Sequence, residues 1–299
     1  MANIRLLDKR RKSIRNIRKI TRTMELIATA RFKKAMDRAS AATDYTNRIT
    51  SIVQDLAKAG TDVSHPLLQS RDETKHAEMV MLTSNRGLCG GYNGSVIRMA
   101  LARRGEIVEK VGNTPMNVSG KRGVSALKFR GIPIEKAYTQ FDDEPAFDEV
   151  AKIADDLMLR FISGKIDRVD IVYTKFLSVS KQVAVAETLL PISNLSTVSD
   201  KYENASEPAK AGFRDDYEFL PSASSILEEV VPAAFRARLF KCFLDAAVSE
   251  QIARMVAMKS ATENAGDIIK QLSRTYNRAR QSKITQEIME IIGGVEALG

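Results

Sequence analysis

Apolar and small residues return at every seventh position along the first sixty residues of the chain. Ala28, Ala35, Ala42, Ile49 and Leu56 form one row, with Met24, Phe32, Ala39, Tyr45, Ile52 and Val53 beside it. Nearer the N-terminus, Leu7 and Ile14, Ile17 and Met24, and Ile20 and Ile27 keep the same step. Nothing from Ile4 to Lys58 is Gly or Pro, so no residue in that span interrupts helix propagation. A seven-residue period sustained this long predicts a left-handed coiled coil and not a helix folded into a compact domain. At 1.5 Å per residue such a helix is roughly 80 Å long. Gly60 and the stretch from Thr61 to Pro66 end it.

The other end of the chain repeats the pattern. Ser222 to Val231 starts a helix and Pro232 predicts a kink in it. From Ala233 onward about 60 residues follow without Pro, and Gly266 is the single Gly before Gly293-Gly294. Met258, Ala265, Leu272 and Ala279 form a row, as do Ile284, Ile291 and Leu298, with Ile288 and Val295 alongside. Two long helices that each need a partner stripe most simply satisfy one another as an antiparallel pair.

Between them the period changes. Glu78–Ser84 is a short apolar run followed by the turn residues Asn85-Arg86-Gly87, and Asn93–Arg104 is helical in pattern. Strands are predicted at Pro115–Ser119, Ile132–Ala137, Val169–Phe176 and Gln182–Leu190, with helices at Lys121–Arg130 and Pro145–Ser163. Strands alternating with helices indicate a mainly parallel sheet, and the short SVSK link predicts an antiparallel hairpin at one edge. The polar stretch 191–221, with Pro191, Pro208 and Pro221, reads as a connecting loop. The predicted fold is therefore a mixed α+β, α/β chain. A coiled-coil helix over 1–60 and another over 222–299 flank an inserted Rossmann-like α/β domain at 61–221.

Charge is informative only once it is located. Residues 1–40 hold thirteen Lys and Arg against three acids, a net of +10 in a chain whose total is +9. One basic arm of this kind points to nucleic acid, an anionic membrane or an acidic protein surface. Nucleic acid is disfavoured by the lack of stacking aromatics near the arm, since Phe32 and Tyr45 stand where the helical seam wants them. Two histidines and two distant cysteines argue against a metal site or a disulfide framework, and fit a reducing compartment. No run approaches the roughly 20 apolar residues of a membrane span, and the N-terminus shows no secretory or transit segment, which favours a bacterial chain.

The segment Arg86–Asn93, RGLCGGYN, follows a strand and opens a helix, the context of a phosphate-binding turn. No Lys-Ser/Thr follows it and G-x-G-x-x-G is absent, so Arg86, Gly87, Gly90 and Gly91 read as a structural turn and Cys89 as a small buried hydrophobe. A small-molecule enzyme built on the α/β insert predicts convergent charged groups, which this sequence does not show.

Four segments together resemble one family. They are Lys19-Ile20-Thr21-Arg22-Thr23-Met24 with Ala28-Thr29-Ala30-Arg31; Ser84 to Asn93 (SNRGLCGGYN); Ser249-Glu250, Arg254–Lys259 and Ala261–Ala265; and Asn277, Arg280-Gln281 and Ile284–Glu290 followed by Gly294. In this order and spacing they are similar to the γ subunit of the F-type ATP synthase. Two departures stand out: Val295 where the family signature has Ala, and Leu220 in Asp216–Pro221 where the family has an acid. The Cys-containing redox insert of chloroplast versions is absent. The resemblance implies a rotor subunit with no catalytic, cofactor-binding or metal-binding residue. Its partners would be three α and three β subunits, an ε subunit and the membrane c-ring, not nucleic acid. Its place would be peripheral, on the cytoplasmic face of the bacterial plasma membrane. It implies that Met24, Arg254, Arg280, Gln281 and Thr285 contact the αβ ring. It also implies that Lys9, Arg10, Lys12, Arg15 and Lys19 form a basic axle face.

Overall fold

The computed structural model describes residues 4–58, 65–69, 71, 73–141, 144–192 and 223–296. In chain order these form α1 (Ile4–Lys58), β1 (Ala77–Leu82), α2 (Tyr92–Val111), β2 (Met116–Ser119) and α3 (Lys121–Phe129). They continue with β3 (Ile134–Tyr138), α4 (Phe147–Ile162), β4 (Arg168–Ser178), β5 (Lys181–Leu190) and α5 (Ala223–Glu296). Helix α5 runs on through Pro232, where a kink was expected, as one 74-residue element. Helix α2 continues seven residues beyond Arg104, with Ile107 buried on its inner face. Gly60, most of the loop that ends α1, Leu298 and the Asp216–Pro221 segment lie outside the described residues.

The chain divides into two compact units, one of residues 1–30 with 254–299 and one of residues 31–253. Helices α1 and α5 contribute to both.

The second unit holds a five-stranded sheet of order β3-β2-β1-β4-β5. β1, β2, β3 and β4 are parallel, and β5 returns antiparallel to β4 at the edge. Every residue of β1 is buried because both faces of a central parallel strand are covered, which is why its sequence is apolar at all positions but one. Met79 and Met81 face α2 and α3, packing with Val96, Ala100 and Leu127. Val80 and Leu82 face the opposite way, into a core built with α4, α5 and α1. Edge strand β3 alternates half-buried and exposed positions along its length.

One residue of β1 breaks the apolar rule. Glu78 is fully buried and faces the Arg160 guanidinium of α4 at 2.6 Å, with the Asn117 side-chain amide donating to its other oxygen. Burial holds its pKa above the ordinary carboxylate range against the pull of Arg160.

Along α1 in this unit the covered row is Ala35, Ala39, Ala42, Thr46, Ile49 and Val53, alternating steps of four and three. Tyr45 and Ile52, expected on that seam, are 55% and 38% exposed. Thr46 takes the place instead, because its hydroxyl donates to the Ala42 carbonyl at 2.7 Å and so presents a methyl group to the seam.

Candidate functional site

In the first unit α1 and α5 run antiparallel. The Arg11 guanidinium stacks 4.5 Å from the Tyr276 ring centroid, Arg18 passes beside Gly266, and the Thr262 hydroxyl donates to the Thr21 hydroxyl at 2.8 Å. Positions on α5 fall as those on α1 rise. The covered row on α5 is Met258, Thr262, Ala265, Ile269, Leu272, Tyr276 and Ala279, again in steps of four and three. Half of that row was readable as an apolar seven-step. Thr262 and Tyr276 escaped because their polar atoms hide an apolar contact surface, although their spacing was there to be seen. On α1, Met24 is half-buried, whereas Ile17, Ile20 and Ile27 are 45%, 59% and 47% exposed.

The basic residues separate into two groups. Lys12, Arg15, Lys19 and Arg22, at steps of three and four, line one groove with Arg18, Asn16, Thr23, Thr262 and Ile269. The groove has a volume of about 1010 Å³. Lys9 and Arg10 are exposed on α1 outside it. Arg18 and Arg22 belong to the groove yet were not among the expected axle-face residues. Some of this charge is internally compensated: Asp8 accepts from Arg11 at 2.7 Å and pairs with Lys12 at 2.9 Å, and Arg22 pairs with Glu25 at 2.7 Å. The bonds from Lys12 and Arg11 hold the Asp8 carboxyl below its ordinary range. No aromatic side chain lines the groove among the described residues.

From Arg280 to Val295 every residue of α5 is exposed. Arg280, Gln281 and Thr285 therefore stand on open helix surface, within about 140° of arc at 100° per residue. Among and beyond them Ile284, Ile288, Met289, Ile291, Ile292 and Val295 are 42–69% exposed. Arg254 differs from these: it is 8% exposed, inside the chain's own packing. The expected contact residues thus comprise three open positions, half-buried Met24 and one buried arginine.

The glycine turn belongs to the second unit. Ser84 Oγ donates to the Arg86 carbonyl at 2.6 Å and accepts from the Asn93 amide at 2.7 Å, while Asn93 Oδ1 accepts the Ser84 N–H at 3.0 Å. Gly90 adopts φ +56° and Leu88 adopts φ +66°, unusual for a residue with a Cβ, and Leu88 is 59% exposed. A Cβ at Gly87 would lie 2.8 Å from the Arg122 guanidinium, which would have to swing aside to admit one. Cys89 is buried, but its sulfur accepts from the Asn93 side-chain amide at 3.1 Å and lies near Ser84 Oγ, so its surroundings are polar and not those of a plain hydrophobe. The first residue of α2 ties the turn to α5, with the Tyr92 hydroxyl donating to the Ala246 carbonyl at 3.1 Å.

The neighbouring β2–α3 junction carries Gly120 and Gly123 and could pass for a phosphate cradle. Thr83 fills it: its hydroxyl accepts the Gly123 N–H at 2.9 Å and donates to the Ser119 carbonyl at 2.7 Å. A Cβ at Gly120 would collide with the Thr83 carbonyl, so these glycines serve strand–helix contact. Among the described residues no three His, Cys, Asp or Glu side chains converge as metal ligands. No described helix is long and apolar enough to cross a membrane.

A family model described as ATP synthase matches residues 3–298. The ATP synthase gamma chain of Rhodopirellula baltica is 65% identical over 298 residues, an alignment covering 100% of this chain and 99% of that one. The gamma chain of Frankia casuarinae is 39% identical over 303 residues, covering 99% and 97%. Among solved structures, a chain of the Euglena gracilis mitochondrial ATP synthase (OSCP/F1/c-ring, rotational state 3) aligns with TM-score 0.65 and 17% identity, over 99% of this chain and 94% of that one. A chain of the Tetrahymena thermophila mitochondrial ATP synthase central stalk and c-ring aligns with TM-score 0.57 and 20% identity, over 81% and 99%. These two share the fold. With two thirds of its residues identical to one relative from end to end, the chain belongs to the ATP synthase gamma chain family.

Proposed function

We propose that the chain is the rotating central shaft of an F-type ATP synthase and performs no chemistry of its own. Residues 1–60 and 222–299 form its antiparallel coiled coil, and 61–221 its inserted Rossmann-like foot. Ion flow turns the membrane c-ring, the ring turns the foot with the ε subunit beside it, and the helices turn inside three αβ pairs. Three chemically identical sites differ only when something without threefold symmetry stands on their axis. A pair of unequal helices with one basic face meets that need, each orientation favouring a different set of β conformations. The chain would sit on the cytoplasmic face of a bacterial plasma membrane, held there through the complex.

The observation that carries this reading is the full-length identity to gamma chains. Geometry supports it as well. The α5 stretch 280–295 is exposed yet rich in isoleucine, as a helix end housed by other subunits would be. The basic groove suits acidic loops, since guanidinium groups remain charged and bond carboxylates in pairs. A nucleic-acid interface finds no support in a groove without stacking side chains.

The test is ion-driven ATP synthesis in vesicles containing the reassembled complex. Arg280→Ala removes one partner of the proposed contact with a ring carboxylate. Loss of one partner from a desolvated charge pair costs on the order of 2–5 kcal/mol. Synthesis and assembly should fall, while nucleotide binding to isolated αβ pairs stays unchanged. Arg5→Ala, in a redundant cluster, should do far less. The reverse ranking would sink the assigned contact.

A further inference from the structure

Helix α5 carries two unlike faces where it crosses the sheet of the second unit. Leu244, Val248 and Ile252 pack on Ala35 and Ala39 of α1, an apolar contact without a directional bond. Arg238, Cys242, Asp245 and Ser249, at steps of four, three and four, share a different face, and Arg238 and Ser249 bond the β4–β5 hairpin beside the apolar core that Leu239, Phe243 and Ala246 make with the sheet.

Each of these contacts is specific. Arg238 Nη2 donates to the Thr188 carbonyl of β5 at 3.1 Å, and Ser249 Oγ donates to the Thr174 carbonyl of β4 at 3.3 Å. The Cys242 thiol is buried near Tyr173, whose hydroxyl donates to Glu187 Oε2 across the hairpin at 3.3 Å. Asp245 accepts from Lys241 at 3.0 Å, beside the Lys175–Glu187 pair of the hairpin at 3.4 Å. A lone buried carboxylate is costly; Asp245 is held by Lys241 one turn earlier on its own helix, with the Lys175 charge of β4 adding to it.

Resting on the shaft reading, we propose that this polar face is the key by which the sheet drives α5, and that Arg238 and Ser249 are positioning residues for torque transfer. Apolar packing resists separation of two elements, but it is non-directional and resists sliding and rotation less than bonds of fixed donor and acceptor. The hairpin and α5 then turn as one body, and α1 follows through its small-residue seam.

The test uses the complete complex in vesicles, with ATP hydrolysis and hydrolysis-driven ion uptake measured on the same preparation. Arg238→Met and Ser249→Ala, singly and together, remove two bonds of the key with little change in volume. Val248→Ala is the control for lost packing on the other face, and Lys241→Arg is the conservative change. The expected result is that the double variant hydrolyses ATP yet loses uptake against an imposed gradient. Val248→Ala should melt lower but keep the wild-type ratio of uptake to hydrolysis, and Lys241→Arg should keep it too. The single Ser249→Ala, mild enough to assemble, should show a partial loss in the same direction. Undiminished uptake per ATP in the double variant, or an equal loss in Val248→Ala, would overturn the key. A wild-type complex unable to pump would instead overturn the shaft reading on which it rests.

Discussion

The same two helices behave differently in the two units. In the second, where they lie against a sheet, Ala35, Ala39, Leu244 and Val248 are exposed by 5%, 4%, 1% and 0%. In the first, Ala28, Met258, Ala265 and Arg254 are the buried positions, most of the seam is half-covered, and a run of isoleucines faces outward. The helix segments of the second unit are also the more apolar, yet Ile17, Ile20 and Ile27 of the first stay exposed where no third element among the described residues covers them. A helix pair alone covers one stripe on each helix, and any further apolar stripe needs another partner.

The largest effect that would sharpen this contrast is a cavity in the well-covered unit. Phe235 is 1% exposed and packs in the core shared by α4, α5 and the sheet. Phe235→Ala should lower the unfolding free energy of the chain by about 3–5 kcal/mol. Ile288→Ala, at a 50% exposed site in the other unit, should stay within about 0.5 kcal/mol in the same urea titration. In the assembled complex Ile288→Ala should nevertheless weaken assembly. Equal losses in the isolated chain would end the contrast.

A smaller effect separates the units by pH. His65, 8% exposed, accepts the Leu67 N–H on Nδ1 at 3.1 Å, and burial lowers its pKa against the weak opposing field of Glu228. Protonation would put a donor against a donor. The unfolded chain then takes up the proton more readily than the folded one, so stability rises with pH in that window. It is fully present above the ordinary histidine value of about 6.5 and declines as pH falls below it. His65→Asn, which keeps an acceptor but does not titrate, should flatten that part of the stability profile. An unchanged acid slope in the variant would remove His65 from the account.

Much of the fold was legible because it rests on period and punctuation. The unbroken helix from Ile4 to Lys58 followed from the absence of Gly and Pro, and the β4–β5 hairpin from two strand patterns with a short link. What stayed hidden involves polar atoms that find partners across space. Glu78, the second residue of β1, looked like the rim of a strand, and partners far along the chain, Asn117 and Arg160, allow it inside. The groove arginines Arg18 and Arg22 could not be told from the rest of the basic arm until α5 supplied the other wall. The placement of Leu88 at φ +66° has no local signal, since its neighbours Gly87 and Gly90 were free to take any strain themselves.

A third change probes the weaker pairing directly. Thr262→Val removes the hydroxyl bridge to Thr21 without changing shape, and should cost about 1 kcal/mol in the isolated chain. Hydrogen exchange should locate the loss in α1 near Thr21 and not in the sheet. Faster exchange spread evenly over the sheet would show that the two units do not open separately.

The smallest expected effect tests the seam itself. By the apolar pattern Tyr45 belongs on the inner row, yet Tyr45 is 55% exposed and Thr46, the next residue, is 6% exposed. Steps of four and three from Ala35 through Ala39, Ala42 and Thr46 to Ile49 leave no turn of the helix for Tyr45 to enter. Tyr45 instead lines an open groove with Phe147 and Phe240. Tyr45→Ala should therefore change stability by no more than about 0.5 kcal/mol, as a surface change does. Thr46→Val, which keeps the methyl group and loses only a hydroxyl already bonded within its own helix, should be close to neutral. Thr46→Lys should be clearly destabilising, because no water reaches that position to hold the charge. Urea titration of the three variants ranks them. A large loss in Tyr45→Ala with tolerance of Thr46→Lys would return Tyr45 to the inner row, and the α1 seam of the second unit would have to be redrawn one residue earlier.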